Sequence, residues 1–161
     1  MELQRKTIRV MLVDDHQTML WGLIKLIETE KPRMEVVGTA QTGPEALEKI
    51  AQLSPDVLLL DLDLGGSSAL DLLPALQSNP QLRVLIFTGE RDQEKLDLAV
   101  FRGARGIVRK DASAELLLKA IEKQLRVKYG WTVERWAGYS VNSWRQSPLT
   151  NRTRMPKRRP A

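Results

Sequence analysis

The stretch VLLLDLDLGG, residues 57–66, places two aspartates and two glycines directly after four consecutive apolar residues. A short apolar run without polar alternation is typical of a strand that is buried on both faces, as in a parallel sheet covered by helices. Such a strand gains no stability from a carboxylate at its end, because removing a charge from water costs free energy. Asp61 and Asp63 therefore indicate a chemical role at the end of this strand.

Apolar runs of this kind alternate along the chain with segments whose apolar residues recur at helical spacing. The predicted strands are residues 8–13, 34–40, 57–60, 82–87 and 105–110. The predicted helices are residues 17–30, 43–53, 68–76 (bent or delayed at Pro74), 93–103 and a last helix that Ser113 caps. This alternation predicts a doubly wound α/β fold, a five-stranded parallel sheet of order 2-1-3-4-5 with helices on both faces.

The composition excludes several kinds of site and location. The chain contains no cysteine, which rules out disulfides, zinc–thiolate sites and thiol nucleophiles. The N-terminus has no apolar signal core, and no apolar run approaches the length of a membrane span. We therefore expect a cytoplasmic protein without a membrane partner.

Charge divides the chain into two parts. Nine of the 25 Lys and Arg residues, but one of the 20 Asp and Glu residues, fall in residues 126–161, so this segment carries about +8 and residues 1–125 about −3. Apolar periodicity also ends near Gly130. We expect one domain over residues 1–128, followed by an irregular, partly disordered basic tail over residues 129–161.

Polar residues gather at the carboxyl ends of the predicted strands, at the edge where open α/β sheets bind ligands. In chain order they are Asp14, Asp15, Asp61, Asp63, Thr88 and Lys110. Carboxylates crowded into one crevice repel unless a cation neutralises them, and Mg²⁺ does so with oxygen ligands. A metal, a lysine, a hydroxyl and a nucleophilic carboxylate together favour phosphoryl transfer.

Two protein families use such a set of residues, and the sequence resembles both. VLLLDLDLGG is similar to the first motif of haloacid-dehalogenase-type phosphohydrolases, in which the first aspartate is the nucleophile and the second is the general acid–base. Thr88 and Lys110 are similar to the next two motifs of that family. Those enzymes carry an acid pair after the lysine, however, whereas here Asp14 and Asp15 come first. A small phosphohydrolase is therefore the less favoured interpretation.

The ordered motifs VMLVDDH, LLLDLDL, VLIFTG and GARGIVRKDAS resemble, over about residues 8–125, the receiver domains of two-component response regulators. The similarity is greatest to receivers of LuxR/NarL-type regulators. It implies a signalling switch rather than a turnover enzyme, with Asp61 as the phosphoacceptor for a histidine kinase or phosphotransfer protein. It also implies that Mg²⁺ or Mn²⁺ is held by Asp14, Asp15, Asp61 and the backbone carbonyl of Asp63. Lys110 and Thr88 would contact the phosphoryl group.

Two positions depart from the receiver pattern. Ile107 stands where the family usually has an aromatic switch residue, and an isoleucine can neither swing a ring nor donate a hydrogen bond. Signalling through Thr88 is therefore expected to be weakened or read out through another surface. Gly65 stands where the family usually has proline, which predicts a more mobile loop.

His16 is the single histidine of the chain. Its place before the first predicted helix favours a weak helix cap over a catalytic role.

The basic tail does not identify the output of the protein, that is, the process that the receiver controls. LuxR/NarL-type regulators carry a helix-turn-helix domain after the receiver. The stretch SPLTNRT is a poor match to the start of that domain, and we expect the residues that follow it to be too few to build one. The tail could bind nucleic acid weakly by charge alone, dock a protein through Trp131, Trp136 and Trp144, or be an out-of-frame or truncated remnant, which we favour. A DNA-binding transcriptional regulator is thus the alternative function. The sequence also leaves open a homodimer whose interface includes Leu116 and Leu118.

Overall fold

The computed structural model of the protein describes residues 6–126. Its elements are β1 Ile8–Val13, α1 Gln17–Glu28, β2 Met34–Ala40, α2 Gly43–Leu53, β3 Val57–Leu60, α3 Leu73–Leu76, β4 Arg83–Thr88, α4 Gln93–Phe101, β5 Gly106–Arg109 and α5 Ala114–Arg126. All neighbouring strands pair in parallel, in the order β2-β1-β3-β4-β5. The predicted fold and strand order are confirmed.

Helices cover both faces of the sheet. On one face, Met11 and Ile86 belong to a buried cluster that includes residues of α2, α3 and α4. On the other face, Leu12 and Leu85 belong to a second cluster, with residues of α1 and α5. Because neither face of the central strands meets water, their sequences need no polar alternation, which explains the continuous apolar runs.

The starts of two helices, α5 and α3, follow from the residues at those positions. Ser113 Oγ accepts a hydrogen bond of 3.1 Å from the Leu116 N–H at the start of α5, which confirms the predicted cap. The predicted third helix is divided into a 3₁₀ turn, Ala69–Asp71, and the short helix α3, with Pro74 in its first turn. The proline ring is compatible with the first turn of a helix but not with its interior, so α3 begins late, as predicted.

Arg126 ends α5 and is the last residue that the structure describes. The predicted domain boundary at residue 128 and the basic tail over residues 129–161 lie outside the described residues. Among the helices of residues 6–126, none combines the length and the apolar character that crossing a membrane requires.

Candidate functional site

The topology brings the carboxyl ends of four strands to one edge of the sheet. β1 and β3 are neighbours, with Val13 paired to Leu60, so that Asp14 and Asp61 follow adjacent strand ends. On the other side of β3, β4 ends in Thr88, whose carbonyl accepts a hydrogen bond of 2.9 Å from the Lys110 N–H after β5. Parallel pairing in this order therefore collects side chains that lie far apart in the sequence.

Lys110 bridges two buried carboxylates. Its Nζ lies 2.8 Å from Asp14 Oδ2 and 2.8 Å from Asp61 Oδ2. Asp14 is 2% exposed and Asp61 is 4% exposed, so neither carboxylate is solvated as it would be on the surface. Two buried like charges require a compensating cation, and the ammonium group of Lys110 supplies it.

Burial and ion pairing shift the pKa values of Asp14, Asp61 and Lys110 in opposite directions. Burial is the largest influence on Asp61 and raises its pKa, although Lys110 counteracts it. Burial acts on Asp14 in the same sense, but hydrogen bonds from Lys110 and His16 outweigh it and lower the pKa of Asp14. Burial alone would lower the pKa of Lys110, whereas its two carboxylate partners raise it. Asp61 is therefore the less well compensated of the two carboxylates.

His16 adds an imidazole to the acid cluster. Its Nδ1 lies 3.0 Å from Asp14 Oδ1 and 2.9 Å from Asp15 Oδ1, and its backbone N–H donates to Asp14 Oδ1 at 2.9 Å. The hydrogen bond with Asp14, followed by the charges of Asp15 and Asp14, raises the pKa of His16. His16 is the N-cap residue of α1, but its side chain makes no capping hydrogen bond. The predicted place of His16 as the cap of this helix is confirmed, but its backbone makes the cap and its side chain does not.

The donor set fits a divalent cation. Asp14, Asp15, His16 and Asp61 each place one nitrogen or oxygen atom within 4.8 Å of the others. Asp15 Oδ1 is a buried atom that accepts no hydrogen bond of good geometry, although His16 Nδ1 lies close to it, and Asp14 Oδ2 is paired with Lys110. Buried carboxylate oxygens with unused acceptor capacity are suitable ligands for Mg²⁺ or Mn²⁺.

Asp63 differs from the other acidic residues of the site. Its residue is exposed, and its Oδ1 accepts a hydrogen bond of 3.2 Å from the Gly65 N–H. Its own N–H lies 3.4 Å from Asp61 Oδ1, so its backbone is adjacent to the buried carboxylate. The carboxylate of Asp63 thus stabilises the loop, and a metal-binding role for its backbone carbonyl stays a prediction.

Thr88 and Ile107 lie on the neighbouring strands β4 and β5. Thr88 is 1% exposed, and its Oγ1 accepts a hydrogen bond of 3.1 Å from the Glu90 N–H. Ile107 is also 1% exposed and belongs to the same buried cluster as Leu96 and Val100 of α4. The residue at the usual aromatic position is therefore a core residue in this structure.

Gly65 has a backbone conformation that explains the absence of proline. Its φ is +65°, whereas the proline ring requires a φ near −65°. A Cβ at this position would lie 3.0 Å from Asp15 Oδ2, so the glycine also allows the loop to approach the acid pair closely. Gly66 has a φ of +100°, but a Cβ there would meet no atom within 4 Å.

These two glycines provide a matched pair of variants. Gly65→Ala and Gly66→Ala each introduce a side chain at positive φ, which costs about 1 kcal/mol in the free energy of unfolding. Gly65→Ala alone also displaces the Asp15 carboxylate, so we expect it to weaken Mg²⁺ binding roughly threefold to tenfold through a loss of about 1 kcal/mol. Calorimetric titration with Mg²⁺ measures the difference. Equal Mg²⁺ affinities for the two variants would contradict a close contact between Gly65 and Asp15.

The sequence of residues 10–122 matches the response regulator receiver domain. This chain belongs to that family. The receiver domain is 35% identical over 115 residues to the nitrate/nitrite response regulator protein NarL of Escherichia coli, covering 71% of this chain and 53% of that relative. It is 34% identical over 120 residues to the transcriptional regulatory protein MctR of Rhizobium johnstonii, covering 74% of this chain and 56% of the relative. The chain spans about half the length of the curated relatives that it matches.

Solved structures agree with this assignment. A two-component response regulator of the LuxR family from Aurantimonas superposes with a TM-score of 0.69 at 34% identity, covering 75% of this chain and 86% of that chain. The signal receiver domain of a NarL response regulator from Mycobacterium tuberculosis superposes with a TM-score of 0.70 at 28% identity, covering 76% and 99%. The predicted similarity to LuxR/NarL-type receivers is confirmed, and the position of the acid pair correctly favoured this family over the phosphohydrolases.

Proposed function

We propose that this receiver domain accepts a phosphoryl group on Asp61 and acts as a switch in a two-component phosphorelay. The observation that carries the proposal is the pair of buried carboxylates, Asp14 and Asp61, which Lys110 bridges at 2.8 Å on each side. A carboxylate held at a strand end beside a fixed cation is positioned to attack phosphorus. A new bond then forms between an Asp61 oxygen and phosphorus, and the bond from phosphorus to the donor breaks.

The surrounding residues have separate roles in this proposal. Asp14, Asp15, Asp61 and the backbone carbonyl of Asp63 would hold Mg²⁺ or Mn²⁺, which supplies charge neutralisation for the phosphoryl oxygens when it is bound. Lys110 already contacts Asp61 and is positioned to pair with an oxygen of the transferred group. The Thr88 hydroxyl would exchange its hydrogen bond from Glu90 for one to the phosphoryl group, which biases the domain toward a second conformation.

The partners follow from the same assignment. A sensor histidine kinase or a phosphotransfer protein would be the phosphoryl donor, in the cytoplasm, and residues 1–128 would form the receiver. The relatives from Escherichia coli and Rhizobium johnstonii are described as a response regulator and a transcriptional regulatory protein. Control of transcription through DNA binding, by a monomer or by a homodimer, is therefore the second candidate for the output.

Phosphorylation by a small-molecule donor tests the proposal without knowledge of the kinase. The full chain is incubated with acetyl phosphate, with Mg²⁺ or with EDTA, and its intact mass is measured. We expect an increase by the mass of one phosphoryl group when Mg²⁺ is present, and no increase in EDTA. A chain that stays unmodified with Mg²⁺, or that is labelled equally in EDTA, would contradict the proposed mechanism.

A further inference from the structure

We propose that His16 is a ligand of the cation site and makes it a binding site for first-row transition ions such as Co²⁺ and Zn²⁺. The inference rests on the proposed cation site, but it does not depend on phosphoryl transfer. Mg²⁺ prefers oxygen ligands, whereas imidazole is a good ligand for Zn²⁺, Co²⁺ and Ni²⁺. An imidazole in an acid cluster therefore changes which ions the cluster prefers.

The distances around His16 match the spacing of ligands around one ion. Two ligand atoms that bind the same cation at right angles, as in an octahedral site with bonds of about 2.1 Å, lie about 3 Å from each other. The Nδ1 atom of His16 lies 3.0 Å from Asp14 Oδ1 and 2.9 Å from Asp15 Oδ1. The His16 nitrogen and the two carboxylate oxygens therefore have the spacing of ligand atoms around one ion.

Hydrogen bonding alone does not satisfy this arrangement. The Nδ1 atom can carry one hydrogen, and the geometry directs it to Asp14 Oδ1. Asp15 Oδ1 is a buried atom that accepts no hydrogen bond of good geometry despite its 2.9 Å approach to the ring. Asp14 Oδ2, on a side chain that is 3% exposed, is already paired with Lys110 at 2.8 Å. A cation shared by His16, Asp14 and Asp15 would give Asp15 Oδ1 a partner while Asp14 Oδ2 keeps its ion pair with Lys110.

The backbone presents His16 to an ion that arrives from solvent. The His16 carbonyl accepts a hydrogen bond of 3.1 Å from the Leu20 N–H, which anchors the residue at the start of α1. Its side chain is 63% exposed, so the ring is accessible while its Nδ1 faces the acids. The chain also has no cysteine and no second histidine, so that thiolate ligation of an ion is excluded and any imidazole ligation must come from His16.

Metal binding by the tag-free full chain tests the proposal. Co²⁺ binding is followed by its visible d–d absorption, and Zn²⁺ and Mg²⁺ binding by calorimetry, for the wild type and His16→Asn. We expect the substitution to weaken Co²⁺ and Zn²⁺ binding roughly tenfold or more and to change the Co²⁺ spectrum. Mg²⁺ affinity should change less than about twofold, because asparagine removes no oxygen ligand. Thr18→Ala, at an exposed position of α1, is the control and should leave all three affinities unchanged.

Asp14→Asn separates failure of this inference from failure of the cation site. Loss of both Mg²⁺ and Co²⁺ binding in Asp14→Asn, with Co²⁺ binding unchanged in His16→Asn, would leave the site in place and reduce His16 to an ion-pair partner. A parallel loss of Mg²⁺ affinity in His16→Asn would show a structural effect on the acids, and would also overturn the inference. Unchanged Mg²⁺ and Co²⁺ binding in Asp14→Asn would instead reject the cation site itself.

Discussion

Replacing Asp61 with asparagine is expected to abolish labelling by acetyl phosphate in the presence of Mg²⁺. The amide has almost the same shape as the carboxylate, but it lacks the nucleophilic oxygen that bonds phosphorus. Intact-mass measurement of Asp61→Asn, under conditions in which the wild type is fully labelled, gives the result directly. A mass increase in this variant would place the phosphoryl group on another residue.

Asp63→Asn is the matched control for this substitution. Asp63 lies two residues away and carries the same functional group, but it is exposed, and its proposed contribution to the site comes from its backbone carbonyl. We therefore expect Asp63→Asn to be labelled to the same extent as the wild type. Loss of labelling in both variants would indicate damage to the loop rather than loss of the nucleophile.

The fold of Asp61→Asn should remain intact. Burial raises the pKa of Asp61 above its value in the unfolded chain. The ionised carboxylate therefore destabilises the metal-free fold at neutral pH, and that stability is regained only as the pH falls through the raised pKa. Asparagine removes the buried charge, so the variant should unfold in EDTA at a Tm equal to or above that of the wild type.

Replacing Lys110 with methionine is expected to damage both the stability and the chemistry of the domain. Methionine keeps an apolar stem but leaves Asp14 and Asp61 without the cation that lies 2.8 Å from each. Removal of one partner from a buried ion pair costs about 3 kcal/mol in the free energy of unfolding. The same substitution removes a fixed positive charge from the reacting group, which should slow labelling by about 10²-fold.

The dependence of Lys110→Met on Mg²⁺ distinguishes this mechanism from a general packing defect. Without the ammonium group, the acid cluster is more negative, so Mg²⁺ should raise the Tm of the variant more than it raises the Tm of the wild type. Thermal unfolding of the variant and of the wild type, in EDTA and in excess Mg²⁺, measures these Tm differences. An equal stability loss in EDTA and in Mg²⁺ would argue against charge compensation as the role of Lys110.

Lys119→Met provides the comparison for an ordinary lysine. Lys119 pairs with Glu115 at 2.8 Å, but both side chains are largely exposed. An exposed ion pair contributes about 0.2–1 kcal/mol, so this variant should lose little stability and should be labelled at the wild-type rate. A loss as large as that of Lys110→Met would contradict the importance of burial.

Much of the fold could be predicted because its elements follow from short-range patterns. The apolar runs of β1 and β3 reflect burial on two faces of one sheet, and Pro74 and Ser113 mark helix starts through their own backbone and side-chain chemistry. The acids at the ends of β1 and β3 were unexpected in a core, and this mismatch between burial and charge identified them as candidate site residues. The order of these motifs along the chain was sufficient to indicate a receiver domain.

The contacts that these site residues make with one another could not be predicted from the sequence. Lys110 and Asp61 are separated by 49 positions and meet at 2.8 Å only because β5, β4 and β3 pair in that order. From their neighbours along the chain, His16 is predicted to be a helix cap and Gly65 a flexible loop residue. In the structure, the His16 side chain contacts Asp14 and Asp15 while its backbone caps the helix, and Gly65 has a positive φ close to Asp15.

The sequence alone determined which segments form the strands and which chemical groups stand near their carboxyl ends, because apolar runs and the polar residues that stop them are patterns of neighbours along the chain. The tertiary structure decided which of those groups touch. Ion pairs and metal ligands depend on separations of about 3 Å between side chains of different strands and loops, and strand pairing sets those separations. That physical difference explains why Asp61 could be singled out from VLLLDLDLGG, whereas its contact with Lys110 could not.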